Sequence, residues 1–265
     1  MVACHGVPKG ARAPTEGGDV LIVETYARVQ TGDEILQNAW RIYAGYFRAF
    51  LFAYILPLAP LSVLFPVAIE RAPAVAVAMA PVWIVLSYLM TIPVTAIISD
   101  ICLGNTPGLI RSYRQVPGRA TVKIVLASTC VVLLTCCGCV LIVPGIMAMT
   151  RLMFVAPVLV LERASLKKVF RRSAELGRGY YGRNLAVYLC AYVLSGLSAI
   201  ACGQGLQHVL TDNLSLPRTL AAGTSQCVTL LFAPYASSVL VLLYYDMRAR
   251  KEAFDSAKFA EDFRR

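Results

Sequence analysis

Apolar residues fall along this chain in long blocks rather than in alternation. The first two blocks cover residues 50–69 and 75–98, the second closing at Asp100. A helix needs about 20 predominantly apolar residues to cross a hydrocarbon core of about 30 Å, so each block predicts a transmembrane span. Pro57, Pro60 and Pro66 interrupt the first and predict kinks, which a buried span tolerates when its neighbours re-satisfy the backbone. Residues 124–161 are apolar except for Arg151. As one helix this block would measure about 57 Å, far beyond one bilayer core. Pro144-Gly145 divides it, which predicts span three over 124–142, a tight turn, and span four over 145–161, with a single kinked helix as the other reading, which the length argues against. Span five is expected over 185–206 and span six over 220–244, with a polar loop at 212–217 between them.

Between the blocks lie shorter amphipathic stretches. Thr31-Gly-Asp-Glu34 is a capping box, in which the Thr hydroxyl and the Glu carboxylate each satisfy an orphan amide at a helix start. Ile35, Leu36, Ala39, Tyr43 and Phe47 then recur at helical spacing, with Gln37, Asn38 and Arg41 elsewhere on the wheel. This pattern predicts a helix lying in the membrane interface, with Trp40 and the tyrosines at headgroup depth. Residues 106–116 predict a second interfacial helix, with Thr106 as N-cap and Pro107 at the first position. Residues 165–176 predict a third, which Ser165 caps and Gly177 ends. Leu166, Val169, Phe170, Ser173 and Leu176 form its apolar side, flanked by Lys167, Lys168, Arg171 and Arg172. The expected fold is all-α, a polytopic membrane helix bundle of about six transmembrane helices with short interfacial amphipathic helices. Its organisation is a weakly structured N-terminal segment (1–30), a six-span membrane domain (31–247) and a charged, helical tail (248–265).

Composition agrees with this reading. Of 265 residues, 58% are hydrophobic and only 15% charged, both departures from soluble domains in the membrane direction. The first 19 residues contain no apolar core, which predicts no cleaved secretory signal and an insertion role for the first span. The net charge of +10 would suggest nucleic acid in a soluble chain; here the positive-inside bias accounts for it, and no nucleic-acid partner is expected. Of 25 Lys and Arg, only Arg71 and Arg218 lie in the loops after spans one and five, and Arg151 lies inside an apolar block. All the others fall in four segments that six spans place on one side. That side is then cytoplasmic, together with both termini.

Candidate chemistry is sparse. Nine cysteines are scattered mostly through apolar blocks, which is no disulfide framework. Cys136-Cys137-Gly138-Cys139 contains a CxxC spacing without a second ligand pair, so small packing residues are expected rather than a metal centre. The chain has two His, His5 and His208, and no phosphate loop, HExxH or Ser-His-Asp pattern. No enzyme activity and no cofactor are expected.

Five segments taken in order carry a family resemblance: Gly32-Asp-Glu-Ile-Leu-Gln-Asn-Ala-Trp-Arg-Ile-Tyr43, Val143-Pro-Gly-Ile146, Ala156-Pro157 with Glu162, Lys168-Val-Phe-Arg-Arg-Ser173, and Tyr244-Tyr-Asp-Met-Arg-Ala-Arg-Lys-Glu252 followed by Ala-Phe-Asp255. Together they resemble the bacterial family of membrane proteins similar to the membrane domain of glycerophosphoryl diester phosphodiesterases, over roughly residues 31–255. The resemblance implies a bacterial inner-membrane protein. It does not imply hydrolysis, because in the proteins that gave the family its name a separate soluble barrel carries the catalytic His and acidic residues, and this chain has neither the residues nor the length for one.

Two sets of residues remain as site candidates. Arg151, about six positions into span four, either snorkels to the interface or is a buried functional charge partnered by Thr150, backbone carbonyls or a lipid phosphate. Lys167, Lys168, Arg171 and Arg172, with Arg111 and Arg114 on the neighbouring loop, form a candidate site for anionic lipid headgroups. Asp100, Glu162 and Asp246, each at the cytoplasmic end of a span, are expected to form structural ion pairs with Arg163, Arg248 or Arg250. Ser195, Ala199 and Gly203 at four-residue spacing predict close helix packing, with an unwound ligand-lining stretch around Gly203 and Gly205 as the other reading. The expected function is a non-catalytic membrane scaffold or lipid-interacting accessory factor with anionic lipids as partners; the alternative is a permease for a small or lipidic solute.

Overall fold

A computed structural model describes residues 28–102, 105, 107–108, 126, 129, 142–162 and 165–252. All regular structure among the described residues is helical. Four helices are long and apolar enough to cross a membrane: α2 (Phe47–Arg71), α3 (Pro73–Cys102), α7 (Tyr181–Asn213) and α8 (Arg218–Glu252). Shorter helices are α1 (Gly32–Gly45), α4 (Ile142–Leu152), α5 (Val155–Leu161) and α6 (Leu166–Gly177). The chain is thus a helical membrane protein. Nearly all of the second interfacial helix and of span three, and the Cys136–Cys139 cluster, lie outside the described residues.

The capping box opens α1 as the residues dictate. The Glu34 carboxylate accepts the Thr31 N–H at 2.9 Å, and the Thr31 side chain accepts from the Glu34 backbone. The helix does not simply lie in the interface, however. Its apolar side, Ile35, Ala39, Ile42 and Tyr43, is buried against the second half of α8. The two run antiparallel, since Gln30 meets Asp246 while the Tyr43 hydroxyl donates to the Leu231 carbonyl at 2.7 Å. Asn38 is buried too, donating from Nδ2 to Gln30 Oε1 at 3.0 Å. Trp40 and Tyr46 keep the expected exposure, Trp40 edge-on to Tyr235.

Helix α2 shows what its prolines require. Pro57 has no N–H to give the carbonyl four residues back, that of Ala53, and its ring crowds that carbonyl. A wide π turn at Leu51–Ile55 spans this point, and α-helix resumes through Pro60 and Pro66. Farther along, α2 meets the first half of α8 so closely that a Cβ on Gly223 would stand 2.9 Å from Val63 Cα.

The predicted turn at Pro144-Gly145 is not there. Both residues are inside α4, whose described part runs from Ile142. The helix therefore runs through Pro144-Gly145 rather than breaking there. The break comes later, at Met153-Phe154, where Phe154 is fully buried and its ring lies 6.5 Å from that of Tyr244. The stretch expected as span four, Gly145–Leu161, is thus two short helices and is not among the helices long enough to cross a membrane. Nor is the stretch around Gly203 and Gly205 unwound, since α-helix continues to His208. Gly203 serves close packing instead: a Cβ there would meet Thr229 at 2.9 Å.

The ends of the long helices settle one point of topology. Ser99, near the end of α3, shares a 2.6 Å hydrogen bond with Tyr245, and Arg183, near the start of α7, reaches Asp246. Residues 102 and 181 thus lie at the same end of the bundle, the end where α8 finishes and α1 begins. We call this the basic end, and the end of the 213–218 loop the far end.

Candidate functional site

The basic end is organised by two polar knots. At the first, Asp246 is fully buried. Its carboxylate accepts the Gln30 N–H at 2.8 Å, Arg183 Nη1 at 2.7 Å and Arg250 Nε at 3.0 and 3.1 Å. Both arginines then donate their Nη2 to the Gln30 carbonyl, at 2.7 and 2.8 Å. Arg250 also stands over the ring of Tyr180, 5.4 Å from its centroid. Three elements that are distant in sequence are so pinned by one carboxylate and the backbone of one residue, Gln30. Asn184 is buried beside Arg183, and its Nδ2 has no hydrogen-bond partner among the described residues.

At the second knot, Arg172 of α6 donates Nε to both oxygens of Glu162 at 3.1 Å and Nη2 to Glu252. Burial alone would lower the Arg172 pKa, but Glu162 and Glu252 outweigh it and hold it above its ordinary value. The Tyr244 hydroxyl donates to Glu162 at 2.9 Å, and Arg248 closes onto Glu252 at 3.0 Å. Two carboxylates meet two guanidiniums here, so the knot neutralises itself.

The expected ion pairs are therefore present with partly different partners. Asp246 does pair with Arg250, but also with Arg183, 63 residues earlier in the chain. Glu162 pairs with Arg172, while Arg248 serves Glu252. Asp100 is fully buried at the end of α3, and Arg163 lies outside the described residues.

Among the candidate lipid-binding cations, Lys167, Lys168 and Arg171 are exposed on α6. Arg171 lies 3.5 Å from Glu175, with both side chains largely exposed, so this pair contributes little. Arg172 is turned inward to the second knot, its side chain 28% exposed. Arg111 and Arg114 lie outside the described residues. Arg151 is exposed near the end of α4, and its carbonyl accepts the Ser173 hydroxyl of α6 at 2.7 Å. It thus stands beside the basic helix, one residue removed from Arg172, rather than deep in the bundle or at its outer end. Helix α6 buries Val169, Ser173 and Leu176 and ends at Gly177, where a Cβ would meet the Tyr181 ring at 2.6 Å. Ser165 caps α6 through its backbone carbonyl, which accepts Val169 N–H at 2.9 Å, and not through its hydroxyl.

Deeper in the bundle, α2, α3, α4, α5, α7 and α8 enclose a cavity of about 740 Å³. No Asp, Glu, Lys, Arg or His is among the described residues that line it, and neither Arg151 nor Gly203 borders it. Ser195 and Ala199 do, so two members of the small-residue series face open space while Gly203 packs on α8. Among the described residues no three His, Cys, Asp or Glu side chains gather as a metal site.

Sequence reasoning missed Gln30, Arg183, the inward turn of Arg172, and the cavity. Gln30 offered no signal, since its backbone does the binding. Arg183 stands six residues after Gly177, near the start of an apolar block, and an arginine there reads equally well as an interfacial anchor. Comparison with known proteins finds no matching family model, no matching curated protein and no matching solved structure.

Proposed function

We propose that this protein is a non-catalytic, lipid-interacting membrane protein of the bacterial inner membrane, a scaffold or accessory factor whose basic end is cytoplasmic and holds anionic headgroups. The observation that carries this reading is the division of charge at the basic end. Glu162, Glu252, Arg172 and Arg248 satisfy one another, while Lys167, Lys168, Arg171 and Arg151 remain exposed on adjoining helices. Each cation near an anionic leaflet contributes about 1 kcal/mol, so four of them attract anionic lipid without selecting one species. The family resemblance supports the same reading: Asn38, Glu162, Arg172, Ser173, Tyr244, Asp246, Arg248, Arg250 and Glu252, all within its segments, are the residues that join at the two knots or bind α6 to them.

The test compares wild type with a variant carrying Lys167→Gln, Lys168→Gln, Arg171→Gln and Arg151→Gln, by native mass spectrometry of protein extracted from membranes. Arg172 stays, because its loss would break the second knot. Co-purified phosphatidylglycerol and cardiolipin should fall several-fold; equal retention overturns the headgroup site. Reporter fusions should place Asn213 outside and the end after Arg265 in the cytoplasm. Reports from a single compartment would defeat this orientation.

A second reading, a permease for a lipidic solute, draws on the cavity. A carboxylate at cavity depth, as proton coupling would need, is not found among its described lining residues. Reconstituted protein that moves a fluorescent phospholipid between leaflets faster than empty vesicles do would favour it over a scaffold.

A further inference from the structure

We infer that the cavity holds an acyl chain of a membrane phospholipid, with the phenols of Tyr54, Tyr188 and Tyr192 donating to its ester oxygens. This deepens the lipid-interacting reading and rests on it.

The described walls suit hydrocarbon better than a polar solute. Ser87, Thr95, Ser195 and Ser237 line the cavity, but each hydroxyl proton is already donated within its own helix: to Trp83 at 2.8 Å, Thr91 at 2.7 Å, Ala191 at 2.8 Å and Ala233 at 3.3 Å. The hydroxyls therefore add no free donor, and the remaining described wall is largely methyl, methylene and ring. A sugar, ion or amino acid placed there would leave its own polar groups unpaired. A hydrocarbon chain would not.

The three tyrosines are the exception. Tyr54 is 7% exposed, faces the cavity, and makes no hydrogen bond in the structure. Tyr188 and Tyr192 face the same space with rings 6.2 Å apart, and they too have no hydrogen-bond partner. A buried tyrosine ordinarily finds a partner for its hydroxyl. One buried phenol, Tyr54, and two more exposed ones facing the same largely apolar space suit a ligand that is mostly hydrocarbon and carries a few acceptors. An ester-linked acyl chain has that composition.

Size and depth agree. A volume of about 740 Å³ lies within the range of ligand pockets. Along α8 the lining runs from Val241 to Thr229, about 18 Å at ~1.5 Å per residue. One leaflet of a hydrocarbon core is about 15 Å deep. The lining starts about 8 Å past Asp246, so the cavity occupies the leaflet on the basic end. Tyr192 is 59% exposed and stands at its rim, where a chain enters from the bilayer.

Gly196 supplies the test. It lines the cavity, and a Cβ there meets nothing within 4 Å, so Gly196→Phe fills the space. Gly205→Phe is the control, with equally open surroundings away from the cavity. Full-length protein is purified, stripped by prolonged detergent washing and analysed by native mass spectrometry and organic extraction. Wild type and Gly205→Phe should retain about one phospholipid per chain, and Gly196→Phe at least five-fold less. Tyr54→Phe, which keeps the shape and removes the donor, should retain several-fold less, and it judges the proposal alone if Gly196→Phe does not fold. Retention by both cavity variants equal to wild type, or no lipid in wild type, overturns the inference. A photoreactive benzoylphenylalanine at Ala199 should capture phospholipid; capture only of residues 109–141 of the same chain means the chain itself fills the space, and also overturns it. The headgroup reading is judged separately, by the four-cation variant. Loss of anionic preference there with one lipid still retained, whatever its headgroup, leaves the cavity standing, and retention lost in Gly196→Phe with anionic preference kept in the rim lipids leaves the headgroup site standing.

Discussion

The two halves of α8 are held by different physics. From Ala233 to Glu252 the helix is buried almost throughout, with Leu242, Leu243, Tyr244, Asp246 and Met247 fully enclosed. It is gripped by α1, by the end of α3 and by two knots of charge. From Arg218 to Thr229 only Ala221, Gly223 and Ser225 are buried, and the helix is held by close approach to α2 and α7. Within hydrocarbon there is little hydrophobic gain from bringing helices together, because lipid tails are as apolar as leucine. Helices there associate through surface fit, which small residues permit. At the wetter basic end aromatic burial and hydrogen-bonded ion pairs become available, and the chain uses both. One end is specified by chemistry, the other by shape, and the cavity lies between them.

The sharpest way to break the comparison is at Asp246. Replacing it by Ala leaves Arg183 and Arg250 facing each other across the Gln30 carbonyl with no counter-charge. Truncating one member of a buried pair costs about 3–5 kcal/mol, because the remaining charges stay desolvated. The arginine side chains keep 26% and 21% exposure, which puts the expected loss near the lower bound. Asp246→Ala should therefore lower the thermal midpoint in detergent strongly and release the N-terminal segment to proteolysis near Gln30. Melting like wild type would show that the knot does not hold the basic end.

At the other end the probe is steric. A methyl group on Gly223 would press on the backbone of Val63, which cannot rotate away. Overpacking of this kind costs about 1–3 kcal/mol. Gly205→Ala, with nothing within 4 Å, should instead gain about 0.5–1 kcal/mol, since glycine inside a helix is unfavourable relative to alanine. The two Gly→Ala changes should thus move the melting midpoint in opposite directions. If both stabilise, shape does not specify the far end.

How much was legible in the sequence follows the same division. The long apolar blocks gave the bundle and its four evident spans, because length against bilayer thickness is a one-dimensional property. The capping box at Thr31 and Glu34 was legible for the same reason: both partners are local. The pairing of Arg183 with Asp246 was not, since it depends on two helix ends meeting. Pro144-Gly145 misled because a buried helix can run through a proline when its neighbours re-satisfy the backbone, and nothing local in the sequence separates that case from a break. Met153-Phe154 carries no breaker, and the bend there accompanies the burial of Phe154 beside Tyr244. The cavity is assembled from single positions on six helices, each of which reads alone as ordinary lipid-facing or packing surface.

The smallest expected effect concerns the start of α1, where the basic end begins. The Glu34 pKa is lowered, chiefly because its carboxylate accepts the Thr31 N–H, with the Thr31 side chain and Arg28 contributing after the opposing cost of desolvation. A carboxyl held below its unfolded value stabilises the folded state when ionised. That contribution is fully present above the ordinary glutamate value of about 4.3 and is lost as pH falls through the lower folded value. Acidification should therefore loosen the first turn of α1 in that window, seen as faster hydrogen exchange at the Thr31 amide than the intrinsic pH dependence accounts for. Asp33 titrates in the same range, its pKa lowered first by a hydrogen bond from the Thr31 side chain, so pH alone does not assign the effect. Glu34→Gln does. Glutamine can reach back to the same amide without ionising, so the box survives in weakened form. Protection at Thr31 should then be lower at neutral pH and independent of acid. If Glu34→Gln keeps the acid response of wild type, the response belongs to Asp33. If neither protein responds, the first turn of α1 is held by the burial of Ile35 and Ala39 against α8, and the box only marks where the helix begins.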